Sequence, residues 1–220
     1  MKRKLTLSVC SVLTILFINS GVAMPQQIKP IKLLEVQTQG GKPLMQALKD
    51  RKSTREFSPK ELPLQVMSDM LWAAYGINRP DSGQRTAPSA KNMQEIDIYV
   101  SKSDGLYLFD AKANILIPVV AKDLRSLTGK QPYVKDAPIN LIYVADLSKM
   151  GQLSERDADF YAAADTGFIS ENVYLFCASN GLATVVRGSI DKLVLAQAMQ
   201  LRPDQKVVLA QTIGYPKIVI

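Results

Sequence analysis

The chain has 220 residues, which suits one domain with a sizeable core and leaves little room for two. Hydrophobic residues make up 47% of it, a share that excludes intrinsic disorder. Lys and Arg outnumber Asp and Glu by 27 to 20, and the absence of histidine excludes Ser-His-Asp and Cys-His catalysis, His-ligated zinc and the usual general acid–base residue.

The first segment has the three parts of a secretory signal. Lys2, Arg3 and Lys4 precede an uncharged apolar run from Leu5 to Ile18, and Gly21 and Ala23 supply the small residues of a cleavage site. The run is about 14 residues, short of the roughly 18 to 20 that span a bilayer, so a signal over 1–23 is expected rather than a stable membrane anchor. Leu7-Ser8-Val9-Cys10 looks like a lipobox but falls too early in the apolar run. Cleavage and export to the periplasm would leave Cys177 as the only cysteine, with no internal disulfide.

Residues 24–41 read as an extended N-terminal arm ending at Gly40-Gly41, ahead of one domain over 42–220. A helix is predicted from Pro43, tolerated in a first turn, to about Arg51. Arg51 to Phe57 then lead to a stop at Ser58-Pro59. A second helix starts near Pro63, with Leu64, Met67, Leu71 and Ala74 on one face and Gly76 closing it. From Asn78 to Gln94 the chain is a polar connection of a length that is functional or mobile.

Ile96, Ile98 and Val100 alternate as a strand, Asp104-Gly105 turns, and Leu106 to Phe109 return. Ile115 to Val120 is a further strand that Pro118 marks as an edge or an end. Lys122 to Leu127 suit a short helix. Ile139 to Val144 is apolar on both faces and reads as buried.

A long helix is predicted from Ser154 to Asn180, with Glu155, Asp157 and Asp159 in its first turns, where the dipole favours them. Tyr161 to Cys177 is apolar or small almost all round, which predicts burial on most sides, with a subunit interface as one partner. Gly181 ends it. A strand over Leu182–Val186, a helix over Ile190–Met199 and a strand over Val207–Ile213 follow. The mixture is α+β rather than strict βαβ alternation.

The common nucleotide signatures, Gly-x-Gly-x-x-Gly and Gly-x-x-x-x-Gly-Lys-Ser/Thr, are missing, so a phosphate-bearing ligand would need side-chain cations. Arg51-Lys52-Ser53-x-Arg55 offers two guanidiniums and a hydroxyl on alternate positions of an extended segment. The same spacing also suits a solvated basic loop. Pro88-Ser89-Ala90-Lys91-Asn92-Met93-Gln94 supplies neutral donors and acceptors, or simply a turn before a strand. In Gly181-Leu182-Ala183-Thr184-Val185-Val186-Arg187-Gly188 a buried strand emerges into a turn where backbone N–H groups can approach a planar ring. Gly214-Tyr215-Pro216-Lys217 leaves the core with a cation. Basic residues are dispersed rather than gathered into a nucleic-acid patch.

In this order the four motifs resemble the nitroreductase family over residues 42–217. The Ala-Pro-Ser-Ala stretch at 87–90 and the short chain are most similar to its branch related to azoline (thiazole/oxazole-forming) dehydrogenases. The resemblance implies an α/β/α sandwich with a mixed, mainly antiparallel central sheet, a homodimer, and FMN bound at the subunit interface. It would place Arg51, Lys52, Ser53 and Arg55 at the FMN phosphate and ribityl chain, and Pro88, Ser89, Ala90 and Asn92 along the flavin, with both subunits contributing. Val186, Arg187 and Gly188 would turn backbone N–H groups to the N5 and O4 edge, and Lys217 would add a phosphate contact. Many members carry an acidic residue where Arg187 stands, and many have a further basic residue beyond Gly-Tyr-Pro where this sequence ends. The first departure bears on acceptor preference and the second on FMN affinity.

The implied activity is ping-pong electron transfer through FMN to a small organic acceptor. It suits a protein without histidine, because the cofactor carries the chemistry. Nicotinamide nucleotides are scarce outside the cytoplasm, so the reductant is NAD(P)H or another donor. The alternatives are an azoline-type dehydrogenase of a heterocyclic or peptide-derived substrate, and a flavin-binding protein without turnover.

Overall fold

The computed structural model describes residues 27–217; the expected signal over 1–23 and the start of the arm lie outside the described residues. Strands β1 (Ile31–Lys32), β2 (Ile77–Arg79), β3 (Gln84–Arg85), β4 (Ile96–Ser101), β5 (Leu106–Asp110), β6 (Ile115–Val120), β7 (Ile139–Asp146), β8 (Ala183–Arg187) and β9 (Gln205–Gly214) alternate with four α-helices. These are α1 (Leu44–Asp50), α2 (Leu64–Tyr75), α3 (Glu155–Ser179) and α4 (Lys192–Ala198).

Seven strands form one sheet in the order β1-β6-β5-β4-β7-β9-β8. The sheet is mainly antiparallel, as expected, and among the described residues each of its ladders runs antiparallel. β7 lies in the middle between β4 and β9, and all eight of its residues are buried. Its period-2 geometry sends Leu141, Tyr143 and Ala145 to one core and Ile142 and Val144 to the other. The first core is roofed by Met67, Met70 and Leu71 of α2 with Ile169 and Val173 of α3. The second is closed by Leu124, Ile190, Leu195 and Met199. Helices therefore cover both faces of the sheet. Pro118 costs no ladder bond on its outer side, because β1 reaches only Ile115 and Leu116 of β6.

Several boundaries differ from expectation for local reasons. The arm is not wholly free of the sheet, since Ile31 and Lys32 pair as β1. The 78–94 connection is ordered by the β2–β3 hairpin, whose strands are too short to show alternation in the sequence. The short helix expected at 122–127 shrinks to a 3₁₀ turn over Arg125–Leu127.

α3 is set by its ends. Ser154 Oγ accepts the Asp157 N–H at 3.1 Å, and Gly181 takes φ of 67°, so that the Leu182 N–H closes on the Cys177 carbonyl at 2.9 Å. Burial of α3 is less complete than its composition suggests. Ala162, Asp165, Ile169, Val173 and Cys177 face inward, but Phe160 is 66% exposed and Phe168 49%, with Ala163 and Gly167 between them on the same open side. Among the described residues that stripe is left exposed. Among the described residues no helix is long and apolar enough to cross a membrane.

Candidate active site

The candidate site is built where the segment after α1 meets the free edge of the sheet. β8 is the last strand in the order, so its outer backbone groups have no neighbouring strand. The Thr54 N–H fills one of them, donating to the Thr184 carbonyl at 2.9 Å. Phe57 anchors the same segment: it is buried among Ala137, Ala183 and Val185 and forms an isolated antiparallel bridge with Pro216. The Ser58 N–H bonds the Tyr215 carbonyl at 2.9 Å and the Lys217 N–H bonds that of Glu56 at 3.2 Å. The first and last motifs of the sequence are thereby clamped side by side.

In the clamped stretch the Ser53 hydroxyl lies 2.8 Å from that of Tyr174 on α3. The Tyr174 oxygen also accepts the Val186 N–H at 3.0 Å, and the Arg51 guanidinium sits over the Tyr174 ring at 5.3 Å. Lys52, Ser53 and Arg55 are exposed. A cavity of about 560 Å³ opens beside Lys52, lined by Lys42, Lys49, Thr54, Tyr174 and Thr184 among others. Asp50, the one acid among the described residues that line it, is engaged by Lys42 at 2.7 Å, which holds its carboxyl below the usual range. Among the described residues Lys49, Arg51, Lys52, Arg55 and Lys217 enter no salt bridge. So many unneutralised cations around a hydroxyl and a sheet edge suit a dianionic phosphate.

The far end of β8 departs from expectation. Thr184 and Val186 turn their polar groups outward, so antiparallel parity directs the Arg187 N–H inward to β9, opposite Ala210. Arg187 therefore cannot present its amide to a ligand at the edge. The next outward amide is that of Gly188.

The Arg187 side chain is instead buried, 7% exposed, on the face away from α3. It donates to Thr128 Oγ1 at 2.7 Å, to Asn140 Oδ1 at 2.9 Å and to Thr212 Oγ1, while its Nε has no partner. Among the described residues no carboxylate forms a salt bridge with it, and burial pulls its pKa down to about 10, so it stays cationic at neutral pH. The adjacent β9 residue, Gln211, serves the opposite face, donating to Thr184 Oγ1 at 3.0 Å and accepting from Tyr143.

The Pro88–Gln94 motif stands apart from this cluster. It holds a 3₁₀ turn over Ala90–Asn92, and Lys91 and Asn92 within the turn and Gln94 after it take positive φ, between 50° and 54°. Its hydrogen bonds run to Asp165, Glu95, Arg85 and Gly83, and none reaches Arg51 to Arg55. Ser89 and Asn92 line a smaller cavity of about 200 Å³ with Arg79 and Arg85.

Three residues of these assemblies escaped the sequence reading. Tyr174 falls at a core position by helical period, and nothing local distinguishes it from packing. Asp165 did carry a signal, an acid inside the small-residue run Ala162-Ala163-Ala164-Asp165-Thr166-Gly167. Glu95 was hidden at the junction of the turn and β4.

Comparison with known proteins gives consistent results. A model described as the nitroreductase family matches residues 48–215. A protein named as a nitroreductase in Methanocaldococcus jannaschii is 30% identical over 149 residues, covering 63% of this chain and 75% of that one. The crystal structure of a protein named as a nitroreductase from Ralstonia eutropha superposes with a TM-score of 0.83 at 43% identity, covering 86% of this chain and 90% of that one. The NADPH:FMN oxidoreductase of Vibrio harveyi, solved with NAD+, is 18% identical with a TM-score of 0.61 over 80% of this chain and 69% of that one, a likeness of fold alone.

Proposed function

The chain belongs to the nitroreductase family and is an oxidoreductase of that kind, and from this premise we propose that it is an FMN-dependent enzyme passing electrons to a small organic acceptor. The observation that carries the FMN reading is the set of unpaired cations around the Ser53–Tyr174–Val186 junction. Arg51, Ser53 and Arg55, with Lys52 and Lys217 nearby, would hold the phosphate and ribityl chain, and the outward Gly188 amide would meet the ring edge. FMN, when bound, supplies the two-electron exchange; the reaction is ping-pong, with donor and acceptor using one cleft in turn. The chain's own contribution is to bind, orient and place positive charge near the ring.

The same reading makes the active form a homodimer. The open stripe of Phe160, Ala163, Gly167 and Phe168 supplies an apolar face, and among the described residues no hydrogen bond joins the Pro88–Asn92 turn to the phosphate cluster. A site completed by two protomers accounts for both. Export follows from the expected signal, so the reductant is NAD(P)H or another donor available in the periplasm. The deciding experiment is to purify the protein and test whether it is yellow and releases FMN on denaturation. A colourless protein that takes up no FMN on reconstitution overturns the reading.

A further inference from the structure

Beneath the Pro88–Asn92 turn lie two carboxyls that the proposed chemistry does not use. Glu95 is 0% exposed and Asp165 2% exposed. Both hold the turn directly. The Ala90 N–H donates to Asp165 Oδ2 at 2.8 Å, and Ser89 Oγ donates to Glu95 Oε2 at 3.2 Å while accepting the Gln94 N–H at 2.8 Å. Among the described residues Glu95 Oε1 is buried with no hydrogen-bond partner, and the two carboxyls hold consecutive residues of the turn, Ser89 and Ala90. Carboxylates are acceptors only, and ionising two buried ones that serve a single turn without a paired cation is costly, a cost that a proton on one of them relieves.

Among the described residues the groups packed around the pair include no cation that pairs with either carboxyl. From α2 comes Tyr75, whose Oη is buried and unpartnered. From the β2–β3 hairpin comes Arg85, but it stacks on the Tyr75 ring at 4.5 Å and directs its donors to Gln94 Oε1 and the Tyr75 carbonyl. From the turn comes Ser89, and from α3 Asp165 itself. Neither carboxyl forms a salt bridge among the described residues.

We propose that Glu95 and Asp165 are positioning residues that hold one proton between them under the Pro88–Asn92 turn and so set where the turn stands against the cofactor. Only the last clause rests on the FMN reading. The proton resides on Glu95, whose pKa is raised by burial and then by the nearby Asp165. The sign follows from linkage. A pKa raised on folding contributes stability that is complete at low pH and lost as pH rises through the raised value. Above it two buried anions repel, and the turn, with Lys91 and Asn92 at positive φ, loosens.

The test measures amide hydrogen exchange of residues 89–94 across pH, corrected for intrinsic rates, in the full protein with and without FMN. Wild-type protection should fall with rising pH, by up to roughly tenfold per pH unit, the limit for one linked proton. FMN affinity should fall in the same range. Glu95→Gln, which donates to Asp165 as the neutral acid does but cannot titrate, should give a flat profile. A merely structural Glu95 would change overall stability in the variant and leave the pH profile as it was. The same pH-dependent loss in Glu95→Gln, or none in wild type, overturns the proposal. If Glu95→Gln does not fold, Asp165→Asn carries the test: its turn should loosen over a lower pH range, and an unshifted profile overturns the proposal. A turn that obeys this law in a protein that never takes up FMN would sink the FMN reading and leave the pair standing.

Discussion

The hydroxyls of Ser53 and Tyr174 lie 2.8 Å apart, joining residues 121 positions distant in the chain. Because the Tyr174 oxygen also accepts the Val186 N–H, one phenol ties the phosphate-suited segment, the long helix and the sheet edge together. Tyr174→Phe removes that oxygen and leaves two polar groups unpartnered. A loss of about 1 to 2 kcal/mol in stability is expected from the two half-buried bonds, read by urea denaturation of the apo protein. FMN affinity should fall as well. An apo stability equal to wild type would show that water replaces the phenol at no cost.

Arg51→Ala and Arg55→Ala should each weaken FMN binding by roughly 1.5 to 3 kcal/mol, the range of a hydrogen bond to a charged group. Riboflavin, which lacks the phosphate, should lose far less. Arg51→Ala also gives up the stacking on Tyr174, so the riboflavin loss should be the larger of the two there. Calorimetric titration with both flavins decides it; equal losses for FMN and riboflavin would remove these arginines from the phosphate.

Gly129 is held small by the buried guanidinium beside it. A Cβ at this position would lie inside contact distance of Arg187 Nε and 2.9 Å from Gln131 Oε1. Gly129→Ala should destabilise the fold by about 1 to 3 kcal/mol, the usual cost of overpacking. In an Arg187→Met background the added methyl should cost less, since the clashing group is gone. A double-mutant cycle measures the coupling, and additive effects would mean that the clash is relieved elsewhere.

The open stripe on α3 predicts its own variant. Ala163→Glu or Gly167→Glu puts a charge among exposed apolar residues and leaves the inward face of the helix untouched. Each should lower dimerisation and FMN occupancy together, because burying that face contributes on the order of 25 cal/mol per Å². Sedimentation of the holoprotein is the measurement. An FMN-loaded wild-type monomer at micromolar concentration is the outcome that would remove the shared-site reading.

The expected signal makes a separate prediction. N-terminal sequencing of protein recovered from a periplasmic fraction should begin near Met24. Recovery of intact chains beginning at Met1 only from the cytoplasm would remove both export and the argument against NAD(P)H as donor.

The sequence by itself determined what depends on neighbours along the chain. The two-faced apolarity of Ile139 to Val144 marked the central strand, because a strand with cores on both sides has no polar face to show. Ser154 and Gly181 marked the ends of α3, since capping is a contact over three to five residues. The order of motifs was enough to indicate the family. What only the tertiary structure decided were contacts between residues far apart. The 3.6-residue period tells that Tyr174 and Asp165 face inward, but not that one meets Ser53 and the other Ala90. Likewise β8 reads as a buried strand, yet only its place at the sheet edge fixes which amides face outward. That place turns the Arg187 amide toward β9 and sends its cation into a cage from Thr128, Asn140 and Thr212. Local patterns record a residue's burial, whereas its partner depends on the order in which strands lie side by side, and that order is set by packing of the whole sheet.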